Sequence, residues 1–195
     1  MYQWVLGVDE AGRGPLAGPV AVGVVMVPHD FDIVFMIPGV ADSKAISQKK
    51  REAVYARTQE LVREGVVRYV VQFASAEAID RDGITAAVRA CVWAGVRFLA
   101  PEKAGVKVFL DGLLRAPVEY EQETIVHGDS LKPVISLASI MAKVERDHLM
   151  DALAVEYPQY GFEKHKGYGT AAHSAAIRAH GLSDMHRRSF CRAFI

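Results

Sequence analysis

The sequence predicts an α/β protein built around a mixed β-sheet, and three observations carry that expectation. Short, valine-rich apolar runs recur along the chain. They alternate with longer segments whose apolar residues repeat at helical spacing. Glycine, proline and Asp-Gly clusters mark the boundaries. The resulting order is strand–strand–helix–strand–helix–strand–strand with a helical tail, the pattern of helices packed on a sheet.

Each element has its own signal. Trp4-Val5-Leu6-Gly7-Val8 gives a buried strand over residues 3–8, ending where Asp9 and Glu10 begin. Pro19 and Pro28 enclose a second strand, Val20 to Val27, apolar almost throughout and therefore central in its sheet. A Pro/Gly/Asp loop ends in Ala41-Asp42-Ser43-Lys44. Ser47 is an N-cap for a charged helix running to about Glu64, with Gly65 as its stop. Residues 66–73 read as a third strand, and Ile84 to Leu99 as a helix. Lys107 to Leu110 is a strand ending in Asp111-Gly112, and Glu123 to His127 a shorter one ending in Gly128-Asp129. Pro133 opens a long helix, Ile135 to about Glu156, stopped by Pro158. A glycine- and lysine-rich loop (159–169) and a small helix, Thr170 to His180, complete the chain.

At 195 residues, 51% hydrophobic and 24% charged, the chain suits one well-buried domain over 1–195, with about 157 to 195 as a C-terminal helical and loop extension. No apolar run approaches a membrane span, and the N-terminus reads as a strand rather than a signal peptide. Cys91 and Cys191 lack metal-ligand spacing and read as reduced thiols, so a cytoplasmic protein without membrane contact is expected. A formal net charge of zero argues against nonspecific coating of nucleic acid. The distribution is uneven: residues 1–129 carry 14 Lys and Arg against 17 Asp and Glu, and residues 130–195 carry 9 against 6, with five of the seven histidines. A carboxylate-rich front and a cationic rear suit a metal-dependent enzyme with a polyanionic substrate.

The chemistry concentrates in acids beside glycines. Neighbouring strand residues point to opposite faces, so Asp9 and Glu10 converge only where the strand ends, and Gly12-Arg13-Gly14 supplies a bend. Adjacent carboxylates repel unless a cation lies between them. Asp111 and Asp129 also end expected strands, each beside a glycine. Any one Asp-Gly alone is more simply a turn; four acids in one context form an oxygen-only ligand set suited to Mg²⁺ or Mn²⁺. Two such ions are the usual machinery for phosphodiester cleavage.

Other motifs are excluded or secondary. Residues 12–17 match half of a dinucleotide fingerprint, but Pro19 and a strand follow where a helix is required. Neither a phosphate-binding P-loop nor a zinc pattern occurs. Ser136, Ser139, Lys143 and Asp147 share one polar face of the long helix, which suits either a phosphate backbone or solvent. In Tyr157 to Thr170, aromatics interleave with Lys164, His165 and Lys166, as suits stacking on sugars or bases beside phosphate-holding cations. Tyr157 and Phe162 are expected to tuck inward, Tyr168 less so.

These residues resemble a known family. Gly7-Val-Asp-Glu-Ala-Gly-Arg-Gly-Pro-Leu-Ala-Gly-Pro19 resembles the signature of type 2 ribonuclease H, specifically bacterial ribonuclease HII. The match continues through Asp42-Ser-Lys44, Leu110-Asp-Gly112, Gly128-Asp-Ser130, Ser136 to Asp147, His165-Lys-Gly-Tyr-Gly-Thr170 and His186-Arg-Arg-Ser-Phe190. The resemblance spans nearly the whole chain, in the family's order. It implies a ribonuclease H-like fold, a five-stranded mixed sheet flanked by helices with a C-terminal helical portion. It also implies hydrolysis of RNA in RNA–DNA hybrids with Mg²⁺ or Mn²⁺, two ions per site, leaving 5′-phosphate and 3′-hydroxyl. Cutting on the 5′ side of single ribonucleotides embedded in duplex DNA is implied as well.

By the same resemblance, Asp9, Glu10, Asp111 and Asp129 are the catalytic and metal-binding carboxylates. Gly12, Arg13 and Gly14 meet the ribose 2′-hydroxyl, and Tyr168 packs on the following sugar. Apart from the resemblance, Lys44, Lys143 and Lys166 are taken as candidates for backbone contacts. Departures are modest: His127 stands where a lysine or arginine is common, and Leu113 where many relatives have a polar residue. No sliding-clamp-binding tail or extra N-terminal domain of the ribonuclease HIII kind is expected, and the protein is expected to be a monomer. Two rivals stand beside this reading: another ribonuclease H-like metal nuclease, and a catalytically silent binder of RNA–DNA hybrids.

Overall fold

The first strand does not stop before its acids. In the computed structural model, which describes residues 2–40 and 46–194, β1 runs Trp4–Ala11 and carries Asp9 and Glu10 within it. The antiparallel partner β2 (Val20–Pro28) keeps pairing as far as Ala11↔Ala21, so ladder hydrogen bonds extend the strand past the apolar run. β3 (Arg68–Ala74) pairs antiparallel with β2. On the other side of β1, β4 (Val106–Asp111) and then β5 (Glu121–Ile125) run parallel to it. The order is β3-β2-β1-β4-β5, a five-stranded mixed sheet.

Helices cover both faces. α1 (Ile33–Met36), α2 (Gln48–Arg63) and α6 (Pro133–Glu156) lie on one side, α3 (Ala76–Asp82) and α4 (Ile84–Leu99) on the other. Val88, Val92 and Val96 of α4 meet Leu6, Val8, Val24, Val108 and Leu110. Leu137, Ala138 and Met141 of α6 meet Val25, Val27 and Phe109. Successive strand residues thus enter opposite cores, as the period-two pleat requires. Each fully buried aliphatic side chain contributes about 1.5–3 kcal/mol. α6 lies directly on β1, because a Cβ at Gly7 would sit 2.1 Å from the Val134 carbonyl oxygen.

Local chemistry explains most boundaries. Ser47 caps α2 by accepting the Lys50 N–H, and Pro133 occupies the first turn of α6, where its missing donor costs nothing. Ser75 caps α3, an element the sequence reading left out, and Gly83 at φ 80° separates it from α4. β5 ends at Ile125 rather than His127, and a four-residue helix, α5 (Gly128–Leu131), follows. Asp129 therefore sits in a helical first turn, not at a strand end. On the polar face expected on α6, Ser136 and Asp147 are buried while Ser139 and Lys143 stay partly exposed.

The 159–169 loop contains α7 (Phe162–His165), and α8 (Ala171–His180) follows. A third core of Ala17, Met150, Tyr160 and Phe162 seats these residues against the end of α6 and the loop after β1. Both cysteines are free and buried. Among the described residues, no helix is long and apolar enough to cross a membrane.

Candidate active site

Ladder register brings the first two acids together. Pairing of β1 with β4 stops at Val8↔Leu110, so the next residues are neighbours where the two strands part, Asp111 at the end of β4 and Asp9 two residues before the end of β1. Both fall on the α6 face, since Gly7 abuts α6 and Phe109 belongs to the core beneath it. α5 delivers Asp129, whose backbone N–H donates to Asp111 Oδ1 at 3.3 Å. From α6, the Ser136 hydroxyl donates to the Asp129 carbonyl and the Ser139 hydroxyl bonds the Asp9 carboxylate. Asp9 Oδ1 also accepts the Glu10 N–H at 2.8 Å.

The electrostatics are those of crowded acids. Asp9 is only 6% exposed, and burial pushes its carboxyl up to about 8; the Ser139 bond opposes the rise, and the charges of Glu10 and Asp111 add to it. Burial raises Glu10 too, with the Arg13 guanidinium opposing and Asp111 adding. An all-oxygen donor set under this strain fits a hard divalent cation, whose charge would relieve the burial penalty and the mutual repulsion together. Among the described residues no three His, Cys, Asp or Glu side chains already close into a metal cage. Asp9, Glu10 and Asp111 are electrostatically coupled, and Asp129 joins them through its backbone bond to Asp111.

The loop after β1 is held from behind by two fully buried arginines. Arg187 donates to the carbonyls of Gly12, Arg13 and Gly18 at 2.7, 2.9 and 2.9 Å. Burial, with Arg146 nearby, lowers it to about 10, leaving it charged at neutral pH. Arg146 donates to the carbonyls of Pro19, Ala17 and Lys166. A Cβ at Gly12 would lie 2.1 Å from Arg146 Nε, so only glycine lets the chain pass this close. Arg13 and Gly14 face outward, with Arg13 Nη1 3.2 Å from Glu10 Oε1. Tyr168 is 43% exposed, and the Arg146 guanidinium lies 5.9 Å from its ring centroid.

A cleft of about 280 Å³ joins these parts, lined by Glu10, Ala11, Gly12, Arg51, Ser139, Ile140, Lys143 and Tyr168. A larger hollow of about 710 Å³ beside Trp93 and Val118 contains none of the four acids, whereas the smaller one is lined by Glu10 and by Ser139, which bonds Asp9. Lys143 reaches the cleft but is paired with Asp147 at 2.6 Å. Lys166 does not line it and is ion-paired with Asp151. Lys44 lies outside the described residues. The cationic rear is corrected in one respect: His165, His173 and His186 are buried among one another and backbone carbonyls rather than presented at the surface.

Sequence reasoning gave no role to Arg51, Arg146 or Arg187. One signal pointed to Arg146, which falls four residues after Ala142 on the apolar stripe of α6, where a charge demands buried partners. Arg187 and Arg51 offered no such pattern.

A mixed five-stranded sheet with acids in the last residues of β1 and at the end of β4, and a helix laid across them, defines the class as a ribonuclease H-like protein. The family model for ribonuclease HII matches residues 6–193. A ribonuclease HII of Geobacillus sp. is 42% identical over 188 residues, covering 96% of this chain and 64% of that protein. Another from Ralstonia nicotianae is 47% identical over 188 residues, covering 94% of this chain and 75% of that protein. The crystal structure of the ribonuclease H2 from Pyrococcus horikoshii superposes with a TM-score of 0.75 at 21% identity, covering 98% and 96% of the two chains; at that identity it speaks for the fold. The chain belongs to the ribonuclease HII family, a family of ribonucleases.

Proposed function

We propose that this protein is a metal-dependent endonuclease that hydrolyses the RNA strand of RNA–DNA hybrids. It also nicks duplex DNA on the 5′ side of a single embedded ribonucleotide, leaving 5′-phosphate and 3′-hydroxyl. One observation carries the reading: Asp9, Glu10 and Asp111 interact electrostatically, Asp129 is hydrogen-bonded through its backbone to Asp111, and Glu10 with Ser139, which bonds Asp9, lines the cleft bounded by the Gly12 turn and Tyr168. Oxygen donors in that setting, Asp9, Glu10, Asp111 and Asp129, would hold two Mg²⁺ or Mn²⁺ ions. Bound ions of this kind supply activation of water and stabilisation of the leaving oxygen.

The chain's own groups do the rest. Ser139 orients the Asp9 carboxylate, and Ser136 fixes the backbone of Asp129. The arginine-clamped turn offers backbone amides and Arg13 to a ribose 2′-hydroxyl, the one group that separates RNA from DNA at a given nucleotide. Tyr168, exposed at the far side of the cleft, would pack on the next sugar and favour deoxyribose there, because an added hydroxyl would crowd the ring. Lys143 and Lys166 would meet backbone phosphates, and the same role is proposed for Lys44. The substrate is a hybrid or a ribonucleotide-bearing duplex, and the protein is proposed to work as a cytoplasmic monomer. A labelled DNA duplex carrying one ribonucleotide, incubated with Mg²⁺ or Mn²⁺ and then with chelator, tests this. A metal-dependent nick 5′ to the ribonucleotide supports it; cleavage of all-DNA duplex, or metal-independent binding without cleavage, overturns it.

A further inference from the structure

Behind Tyr168 the buried histidines form a chain of hydrogen bonds whose protons the partners assign. The Ser183 N–H donates to His186 Nδ1 at 3.0 Å, so this nitrogen carries a lone pair and the His186 proton is on Nε2. His173 Nδ1 lies 3.0 Å from the Tyr168 carbonyl oxygen, which only accepts, so the His173 proton is on Nδ1. His186 Nε2 and His173 Nε2 are 3.1 Å apart, one bearing a proton and the other a lone pair. The series therefore runs Ser183 N–H to His186 to His173 to the Tyr168 carbonyl with every nitrogen used. His165, stacked on His173 with centroids 4.4 Å apart, is separately satisfied: its Nδ1 accepts the Gly167 N–H and its Nε2 donates to the Tyr160 carbonyl.

The series is joined to the turn that bounds the other side of the cleft. His186 bridges to Ala17, Arg187 clamps Gly12 and Arg13, and the Gly167 carbonyl accepts the Leu16 N–H at 2.8 Å. A single segment, 186–187, thus fixes both the Gly-Arg-Gly turn and the backbone of Tyr168. We propose that His186 and His173 are positioning residues, which hold the Tyr168 ring at a set place relative to that turn through two uncharged imidazoles in opposite tautomers. Discrimination between a single embedded ribonucleotide and a continuous hybrid depends on this relay. The second statement rests on the role given above to Tyr168; the relay itself does not.

A proton added to His173 Nε2 would face the His186 Nε2–H, and one added to His186 Nδ1 would face the Ser183 N–H. The groups packed around the pair are His165 of α7, the Tyr160 ring, His180 against that ring, and Arg146 and Arg187 on the Tyr168 side. The Ser183 hydroxyl lies 2.9 Å from His186 Nδ1, and Glu77, Asp80 and Asp184 share a hollow with His186; among the described residues no carboxylate is ion-paired with either ring, so the relay keeps its neutral form.

Asparagine places an amide N–H where histidine has Nδ1 but offers no acceptor to the His186 Nε2–H, so it keeps the bond to the Tyr168 carbonyl and tests that terminal link alone. His173→Asn should keep both activities within about threefold of the parent, whereas His173→Leu should lose about tenfold in kcat/KM on the single-ribonucleotide duplex and no more than about threefold on a continuous hybrid, the scale of one buried hydrogen bond. In a Tyr168→Ala background, His173→Leu should add no further loss on the single-ribonucleotide duplex. Equal losses on the two substrates, or a full additive loss in that background, would overturn the relay's role in discrimination. Imidazole ¹⁵N shifts of the parent protein decide the relay independently of activity. They should give an Nδ1–H tautomer for His173 and Nε2–H tautomers for His186 and His165; an Nε2–H tautomer at His173 would overturn it. If Tyr168→Ala itself lost equally on both substrates, the role of Tyr168 would fall and the discrimination claim with it, while the tautomers would still decide the relay.

Discussion

Asp9 is the residue on which the site turns, and its burial sets opposing demands. An ionised carboxylate at that depth costs folding free energy, which a cation shared with Asp111 would recover. Asp9→Asn and Asp111→Asn should each lower cleavage by about a thousandfold or more, since lost charge stabilisation at a phosphoryl centre is worth several kcal/mol. Gel retardation should show duplex binding largely kept, and near-normal turnover in either variant would contradict the assignment. For Tyr168→Ala the loss should be larger on a single embedded ribonucleotide than on a long hybrid, checked by paired kcat/KM values. At this scale the sequence was most legible. The acids, the Gly-Arg-Gly turn and the exposed Tyr168 all carry local signatures. Lys143 and Lys166 did not show that Asp147 and Asp151 already hold them, because such pairs depend on rotamers and not on spacing alone.

Among the elements, α6 and the clamped turn carry the geometry. A methyl at Gly7 would meet the Val134 carbonyl at 2.1 Å, so Gly7→Ala should push α6 from β1, with its Ser139, and cost about 1–3 kcal/mol in urea unfolding. Arg187→Ala orphans three carbonyls and should cost at least about 3 kcal/mol, measured as a lower unfolding midpoint. Strands and long helices could be read from apolar period. The extension of β1 through Asp9 and Glu10 could not, because ladder pairing with β2 overrides the polar pair's weak strand preference. α3 was missed for a different reason: its seven residues bury only Ala76 and Ile79, too few to show a helical stripe. α5 was hidden because four residues cannot show a period at all.

In the whole molecule, two sets of buried titrating groups set the pH range of the metal-free fold. Burial lowers His186 from 6.5 to about 4, with His173 adding to the effect, and lowers His173 as well. A depressed histidine contributes stability that is present above about 6.5 and is lost as pH falls towards 4. Asp9 acts in the other direction: raised from 3.8 to about 8, it contributes stability at low pH that is lost as pH rises through 8. Metal-free protein should therefore unfold at lower urea on both sides of a mildly acidic to neutral maximum. His186→Gln should flatten the acid limb and Asp9→Asn the alkaline one; unchanged limbs would remove these groups as the cause. This coupling joins β1, α8 and the 183–187 segment, and no local pattern in the sequence announced it.

Titration of Mn²⁺ into the protein, followed by the resonance of the free ion, addresses the gathered carboxylates most directly. Saturable binding to the parent that is lost in Asp9→Asn and in Asp111→Asn is the expected result. Parent-like binding by both variants, or none by the parent even with a ribonucleotide-bearing duplex present, would contradict it.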